Sequence, residues 1–347
     1  MFESRYGHRQ RHRRSCFPDY TISLMTKAIL LVGGKGTRLA PLTNQTPKPM
    51  LKVAGKPVTE HQIVKAREAG ITEIVLATSY LAEVFEPYFG DGSKFGITIR
   101  YAVEESPLGT GGAIANAADL LSLEENESVA IFNGDVLSAH DLSQQINLHH
   151  SKNADVTLYL TEVEDARAYG CVPVNEEGRV LEFLEKMENP KAHTINAGCY
   201  IFSARAISEI PRNSVVSVER DTFPHLLNNG FKVFGFVDKN YWIDMGTPQS
   251  FIRASRDLIL QPSISQATSA GTSDSIIESG AFVHETAHIG GGSYISHNAK
   301  IGAHAQVRGS MVMENVEVGD HSTVIDSYLG VGTSIAPQTN AVGQVLG

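Results

Sequence analysis

Apolar positions recur in two textures along this chain, one before about Leu260 and one after it. From Lys27 onward strand-like and helix-like runs alternate. "KAILLVGG" is an apolar run that ends in glycines and reads as a buried strand. "PVTEHQIVKAREAGI" spaces its apolar residues as an amphipathic helix does and stops at Gly70. "TEIVLATSY" reads as a second strand, and "FGITIRYAVEE", after the turn residues "GDGSK", as a third. "GTGGAIANAADLL" reads as a helix with a glycine-rich start, and "ESVAIFNGD" as a fourth strand. Apolar strands alternating with helices predict an α/β fold, a Rossmann-like and mostly parallel sheet covered by helices. Ligands of such sheets sit beyond the carboxyl ends of the strands. "VGGKG" and "FNGD" both lie at such ends and are predicted to face one pocket.

After Leu260 the texture changes. Residues 261–274, "QPSISQATSAGTSD", are small, polar and rich in Ser and Thr, and read as a linker. Beyond them Ile277, Val283, Ile289, Ile295, Ile301 and Val307 are spaced by six, with Met313 as the seventh. Two five-residue slips then lead through Val318, Val324, Leu329 and Ile335. Six-residue periodicity predicts a left-handed parallel β-helix over 275–347, about three coils, whose aliphatic residues point into a shared core. Linker and repeat together predict a core separate from that of residues 26–260. Five histidines (His284, His288, His297, His304 and His321) show no ligand spacing and read as solvated turn positions.

Charge adds a third region. The net charge is −9, yet residues 1–25 hold five arginines against Glu3 and Asp19, a charge of +3, so the rest carries −12. The basic stretch reads as a disordered extension, with Met25 as an alternative start. It lacks the apolar segment of a signal peptide. The acidic remainder argues against nucleic-acid binding. No apolar run approaches the ~20 residues that span a bilayer. Cys16, Cys171 and Cys199 form neither a disulfide framework nor a metal pattern, so a cytoplasmic location is expected.

The first strand leads into "GGKGTRLAPLTNQTPKPM". A Walker A loop and a dinucleotide fingerprint both fail on spacing. A plain tight turn remains possible, but it would not need Arg38 and Lys48. Successive glycines let backbone N–H groups converge on phosphate oxygens, and the two cations would neutralise the anionic chain. Prolines on either side of Lys48 stiffen it.

"GGKGTRLAPLT" with "PKPML" resembles the signature of the sugar-1-phosphate nucleotidyltransferases. "EESPLGTGGAI", "FNGD", "EFLEK", "NAGCYIF" and "YWIDMGTPQSF" follow in that family's order, and the β-helix fits as well. Within the family the resemblance is strongest to the actinobacterial enzymes that join GTP and mannose 1-phosphate into GDP-mannose and diphosphate. Two alternatives stay open: a glucose-1-phosphate thymidylyl- or uridylyltransferase, and a non-catalytic regulatory subunit that binds GDP-mannose.

The resemblance implies roles residue by residue. Leu31, Gly33, Gly34, Gly36, Thr37 and Arg38 would hold the nucleotide, with Lys48 beside its phosphates. Asp135 and Asp244 would hold Mg²⁺, a pair suited to a cation that completes its shell with phosphate oxygens and water. Taken singly, Asp135 also reads as a strand cap and Asp244 as a turn residue. Gly170, Glu185, Lys186 and Asn196 would meet the sugar phosphate, Lys186 its phosphate group, while Cys199 would be packing. Arg38, Lys48, Asp135 and Lys186 form the expected catalytic set, and a homo-oligomer is expected.

The base is read at Glu104 or Glu105. An ionised carboxylate only accepts hydrogen bonds. Guanine presents two adjacent donors, N1–H and N2–H₂, whereas thymine and uracil present one donor between two carbonyls. "EESPLGT" therefore favours guanine, unless the carboxylates face solvent and the backbone at Gly109 reads the base.

Overall fold

The structure, a computed structural model, describes residues 26–34, 36–44, 46–79, 81–184, 188–268 and 273–347. The basic stretch 1–25 with Cys16, and the candidates Glu185 and Lys186, lie outside the described residues.

The strand–helix alternation folds as a central sheet. Its strands are β1 (Thr26–Leu31), β2 (Glu73–Thr78), β3 (Thr98–Val103) and β4 (Ser128–Asn133). A short strand β5 (Val136–Ser138) follows, then β6 (Val156–Glu162), β7 (Thr194–Ser203), β8 (Val233–Val237) and β9 (Trp242–Asp244). Seven of these form one sheet in the order β3-β2-β1-β4-β7-β6-β8, while β5 pairs only with β9. All neighbours in the large sheet run parallel except β7, which is antiparallel to β4 and β6. The apolar runs are explained by burial on both faces. Ile29, Val75 and Ile131 pack under helix α2 (Gly109–Ala118), while Ala28, Leu30 and Leu76 pack under α1 (Val58–Glu68) and α3 (Leu142–Ser151). Gly70, predicted as the end of α1, lies past its last turn with φ of 86°. β1 lies between β2 and β4, so the strand order reverses there and opens a crevice at their carboxyl ends.

Residues 275–347 form a parallel β-helix of three sheets, one of five strands and two of four. The register corrects one expectation. Ile295 pairs with Val312, not Met313, so the five-residue step runs from Val307 to Val312. It recurs from Val324 to Leu329 and from Ala341 to Leu346, so each coil after the first spans 17 residues (Ile295 to Val312, Val312 to Leu329, Leu329 to Leu346). The cause lies at one corner. A single residue of positive φ turns the chain there in the later coils (Gly309, Asp326, Gly343), whereas the first coil uses Gly291 and Gly292. The register makes four coils, not three.

The linker expectation also changes. Pro262–Ile264 form a 3₁₀ turn, and Ile264, Ser265, Ala267 and Thr268 are buried; 269–272 are outside the described residues. Ser265 is held by His61 of α1 (2.8 Å). Nor is the β-helix core separate. Leu42, Leu51, Val53 and helix α4 (Pro248–Leu260) share one apolar cluster with Tyr294, Ile301, Val307 and Val324.

Candidate active site

The loop after β1 is shaped by close approaches that only glycine permits. Gly36 has φ of 62°, and a Cβ there would lie 2.9 Å from Lys48 Cβ. Thr43 Oγ1 donates to Gly36 O (3.1 Å), which ties the glycine loop to the segment carrying Lys48. Two 3₁₀ turns, Thr37–Leu39 and Lys48–Met50, then present Arg38 and Lys48. Arg38 is exposed, whereas Lys48 is buried between Pro47 and Pro49.

Gly134 seals the second loop to the first. Its N–H donates to Leu31 O (3.1 Å), and a Cβ there would collide with that same oxygen. The turn swings Asp135 toward the glycine loop, where Oδ2 accepts from Lys48 Nζ (2.8 Å). Pairing of β5 with β9 sets Asp244 opposite Val136, beside Asp135. Asp244 Oδ1 is buried and has no hydrogen-bond partner among the described residues. Burial raises the Asp244 carboxyl above its usual range, and the Asp135 charge adds to this against the pull of Lys48 and Arg38. Two converging carboxylates, one with an orphaned buried oxygen, fit a divalent cation. Among the described residues no group of three or more His, Cys, Asp or Glu side chains is arranged to hold a metal. Such a cation would therefore complete its shell with non-protein oxygens, the habit of Mg²⁺.

Between these loops and α2 lies a cavity of about 430 Å³. Every residue expected around the nucleotide lines it: Leu31, Gly33, Gly34, Gly36, Thr37, Arg38, Glu104 and Gly109, together with Lys48 and Asp135. Glu104 follows β3, its N–H held by Thr78 O (2.9 Å). Glu104 Oε1 is buried without a partner among the described residues, and burial raises this carboxyl above its usual range. Glu105 is exposed and outside this wall, so of the two neighbours Glu104 is the one that faces the cavity. Gly109 begins α2 with φ of 73°, and a Cβ would come within 2.6 Å of Val216 O.

The residues expected near the sugar lie on adjoining backbone. Gly170 has φ of 76°, and the next residue, Cys171, bridges to Ile195 beside Asn196. Tyr169 packs edge-on against Trp242, whose Nε1 donates to Ala197 O (3.0 Å). Asn196 donates from Nδ2 to Tyr200 OH (2.9 Å) and accepts from Gly198 N–H (3.1 Å). Cys199 is buried in β7. Sequence reasoning assigned no role to Ser79, which donates to Gly33 O (2.6 Å), or to Thr110 and Asn133, which line the cavity. A smaller cavity of about 210 Å³ lies behind β5, between α1 and α3, and contains none of the expected residues. Its buried His61 and His140 each have both ring nitrogens hydrogen-bonded.

Comparison with known proteins gives the same picture. Residues 27–261 match the family described as Nucleotidyl transferase, and residues 272–347 match that described as GMPPB C-terminal domain. The chain is 48% identical over 288 residues to a mannose-1-phosphate guanylyltransferase of Mycobacterium tuberculosis, covering 83% of this chain and 79% of that protein. It is 36% identical over 271 residues to a probable mannose-1-phosphate guanylyltransferase 2 of Oryza sativa, covering 78% and 74%. A crystal structure of HddC from Yersinia pseudotuberculosis complexed with GMP-PN superposes with a TM-score of 0.57 at 29% identity, covering 67% of this chain and all of that one.

Proposed function

Because the chain belongs to the nucleotidyl transferase family, we propose that it makes a nucleotide sugar, GTP + α-D-mannose 1-phosphate = GDP-mannose + diphosphate. The observation that carries the choice of base is Glu104 Oε1, a buried carboxylate oxygen without a partner in the cavity wall. Guanine offers such an oxygen two neighbouring donors, and uracil and thymine would set carbonyls against it. The likeness to mannose-1-phosphate guanylyltransferases supports the sugar and the base alike.

A phosphate oxygen of mannose 1-phosphate attacks the α-phosphorus of GTP, the bond from that phosphorus to the α–β bridging oxygen breaks, and diphosphate leaves. Protein groups act here mainly by positioning and charge neutralisation. Arg38 and Lys48 neutralise the triphosphate, and the backbone N–H groups at Gly33, Gly34, Gly36 and Thr37 receive its oxygens. Asp135 and Asp244 would hold Mg²⁺, which when bound would supply further charge neutralisation at the reacting phosphate. Lys186, Glu185, Asn196 and Gly170 receive the sugar phosphate, as the family resemblance implies. We place the enzyme in the cytoplasm and expect a homo-oligomer; no helix among the described residues is long and apolar enough to cross a membrane.

The test is diphosphate release with mannose 1-phosphate or glucose 1-phosphate against GTP, ATP, UTP and dTTP. GTP with mannose 1-phosphate should give the highest kcat/KM. A higher value for glucose 1-phosphate with dTTP or UTP overturns the assignment. Chelation should abolish turnover, and added Mg²⁺ should restore it.

A further inference from the structure

Glu219 belongs to none of the motifs that mark the site, yet its carboxylate stands between the nucleotide wall and the sugar wall. It sits on a π-helical turn, Val218–Thr222, in which Thr222 N–H reaches back to Ser217 O (3.2 Å). Single π-helical turns often accompany functional sites. The segment before it is pressed against the start of α2, where Gly111 N–H donates to Val216 O (2.8 Å). Glu219 Oε2 accepts from Thr110 Oγ1 (3.0 Å) and from Ser217 Oγ (3.1 Å). Thr110 Oγ1 in turn accepts from Val218 N–H (2.9 Å), so its own proton is committed to Glu219.

The other oxygen faces Tyr200. This tyrosine is fully buried, and its hydroxyl accepts from Asn196 Nδ2 (2.9 Å) and Asn133 Nδ2 (3.2 Å). With both amides donating to it, the phenol oxygen has one proton left to give. Two acceptors are within reach, Glu219 Oε1 at 3.5 Å and Asn133 Oδ1 at 3.4 Å, and only the first is a carboxylate. Burial, reinforced by the Glu219 charge, pushes the Tyr200 hydroxyl well above its usual pKa, so it remains a donor throughout the working range.

We propose that Glu219 is a positioning residue for the transfer. Through Thr110 it fixes the wall of the nucleotide cavity, and through Tyr200 it sets Asn196 on the sugar side and Asn133 at the root of the Gly134-Asp135 turn. One carboxylate thereby holds both substrate walls in register. This rests on the reading that the site joins a nucleotide to a sugar phosphate, but not on which base or sugar it takes.

The test uses the full chain with Glu219→Gln, Glu219→Ala and Tyr200→Phe. kcat and both KM values, per titrated active site, are measured with whichever substrate pair the parent prefers, so an error in the guanine or mannose assignment shows in the parent alone. Nucleotide affinity is measured separately by calorimetry with the triphosphate that the parent prefers, which needs no turnover, and thermal midpoints are recorded. Glu219→Gln keeps the size and one acceptor, and should raise KM for the sugar phosphate about 3- to 10-fold and lower kcat by a similar factor. Glu219→Ala should show the same signature at 10-fold or more, with weaker nucleotide binding. Tyr200→Phe should reproduce the sugar-side effect, with a smaller loss of nucleotide affinity than Glu219→Ala, because it keeps the Thr110 contact. Parent-like constants in Glu219→Gln overturn the proposal. So does a loss of kcat that follows only the folded fraction, with both KM values and nucleotide affinity unchanged. Should Glu219→Ala fail to fold, Glu219→Gln and Tyr200→Phe decide the matter.

Discussion

Two carboxyl groups in this site are held above their usual range by burial, Glu104 and Asp244, and each has an oxygen with no partner. Such groups are costly to bury unless something binds them. For Asp244 the partner we propose is a cation shared with Asp135, and for Glu104 the donor edge of guanine. Glu104→Gln keeps the shape, removes the charge and turns an N–H₂ toward one guanine donor. With charge-assisted hydrogen bonds at ~1.5–3 kcal/mol each, kcat/KM for GTP should fall roughly 10- to 100-fold while UTP or dTTP gains. An unchanged GTP-to-UTP ratio would remove Glu104 from base recognition, and exposed Glu105→Gln serves as the control. Asp135→Asn and Asp244→Asn should each lower turnover ~10²-fold or more and raise the Mg²⁺ requirement. Near-parental rates at low Mg²⁺ would count against the pair as metal ligands. A raised carboxyl takes up its proton earlier on acidification. The acid limb of kcat/KM should therefore lie above the ordinary carboxylate range, and it should move down as Mg²⁺ is raised, because the cation competes with the proton at Asp244.

Among the elements, the glycine-rich start of α2 shows how much of the site was legible in the chain. "GTGG" read as the glycine-rich start of a helix, and the structure supplies the reason for the first glycine: Gly109 meets Val216 O at positive φ. Gly109→Ala combines a left-handed backbone with a 2.6 Å collision, so it should displace the Thr110 wall and raise KM for GTP 10-fold or more. A parental KM would show that the helix start can shift without cost. Gly36 was legible as part of a glycine run before two cations, whereas Gly134, inside "FNGD", stood alone and its close approach to Leu31 O shows only in the structure. The β-helix was legible because its inward position repeats. Its phase was misread at one point, where Val312 and Met313 are both apolar and both buried, and only strand pairing tells them apart. Residues 261–268 were misread because hydroxyl-rich composition does not reveal whether a partner such as His61 awaits the side chain. Glu219 was invisible for a related reason: a lone carboxylate in "SVERDTF" has no spacing to test, and two of its partners, Thr110 and Tyr200, come from other segments of the chain.

At the scale of the molecule, the β-helix holds the loop that carries Lys48. The ribbon Lys52–Val53/Lys56–Pro57 follows that loop, and Lys52 pairs with Glu314 of the β-helix (2.7 Å). Gly55 lies against the Tyr294 ring, Ala54 N–H donates to Ser255 of α4 (3.0 Å), and Gly347 rests on Pro41. His61, whose nitrogens bond Ser265 and Val53 O, joins α1 to both the ribbon and the segment after α4. Burial lowers its pKa to about 4, so the folded chain keeps it neutral where the unfolded chain protonates it. The unfolded state therefore binds more protons below about pH 6.5, and stability should drop as pH falls from there toward 4, by up to about 1.4 kcal/mol per pH unit for this group. A His61→Gln variant that still folds should show a shallower fall in thermal midpoint over that range. The shared apolar cluster has a larger consequence. A chain ended at Leu260 would expose Leu42, Leu51, Val53, Phe251, Ile252 and Leu258 on the face that the β-helix covers. At ~1.5–3 kcal/mol for each large apolar side chain uncovered, six of them cost up to about 9–18 kcal/mol, comparable to the 5–15 kcal/mol by which a domain is usually stable. The full chain should accordingly unfold in one transition, seen alike by calorimetry and by circular dichroism, and the shortened chain should be insoluble or lack a cooperative transition. Two separated transitions in the full chain, or a soluble fragment that binds GTP with parental affinity, would show that the sheet domain keeps its Lys48 loop in place without the β-helix.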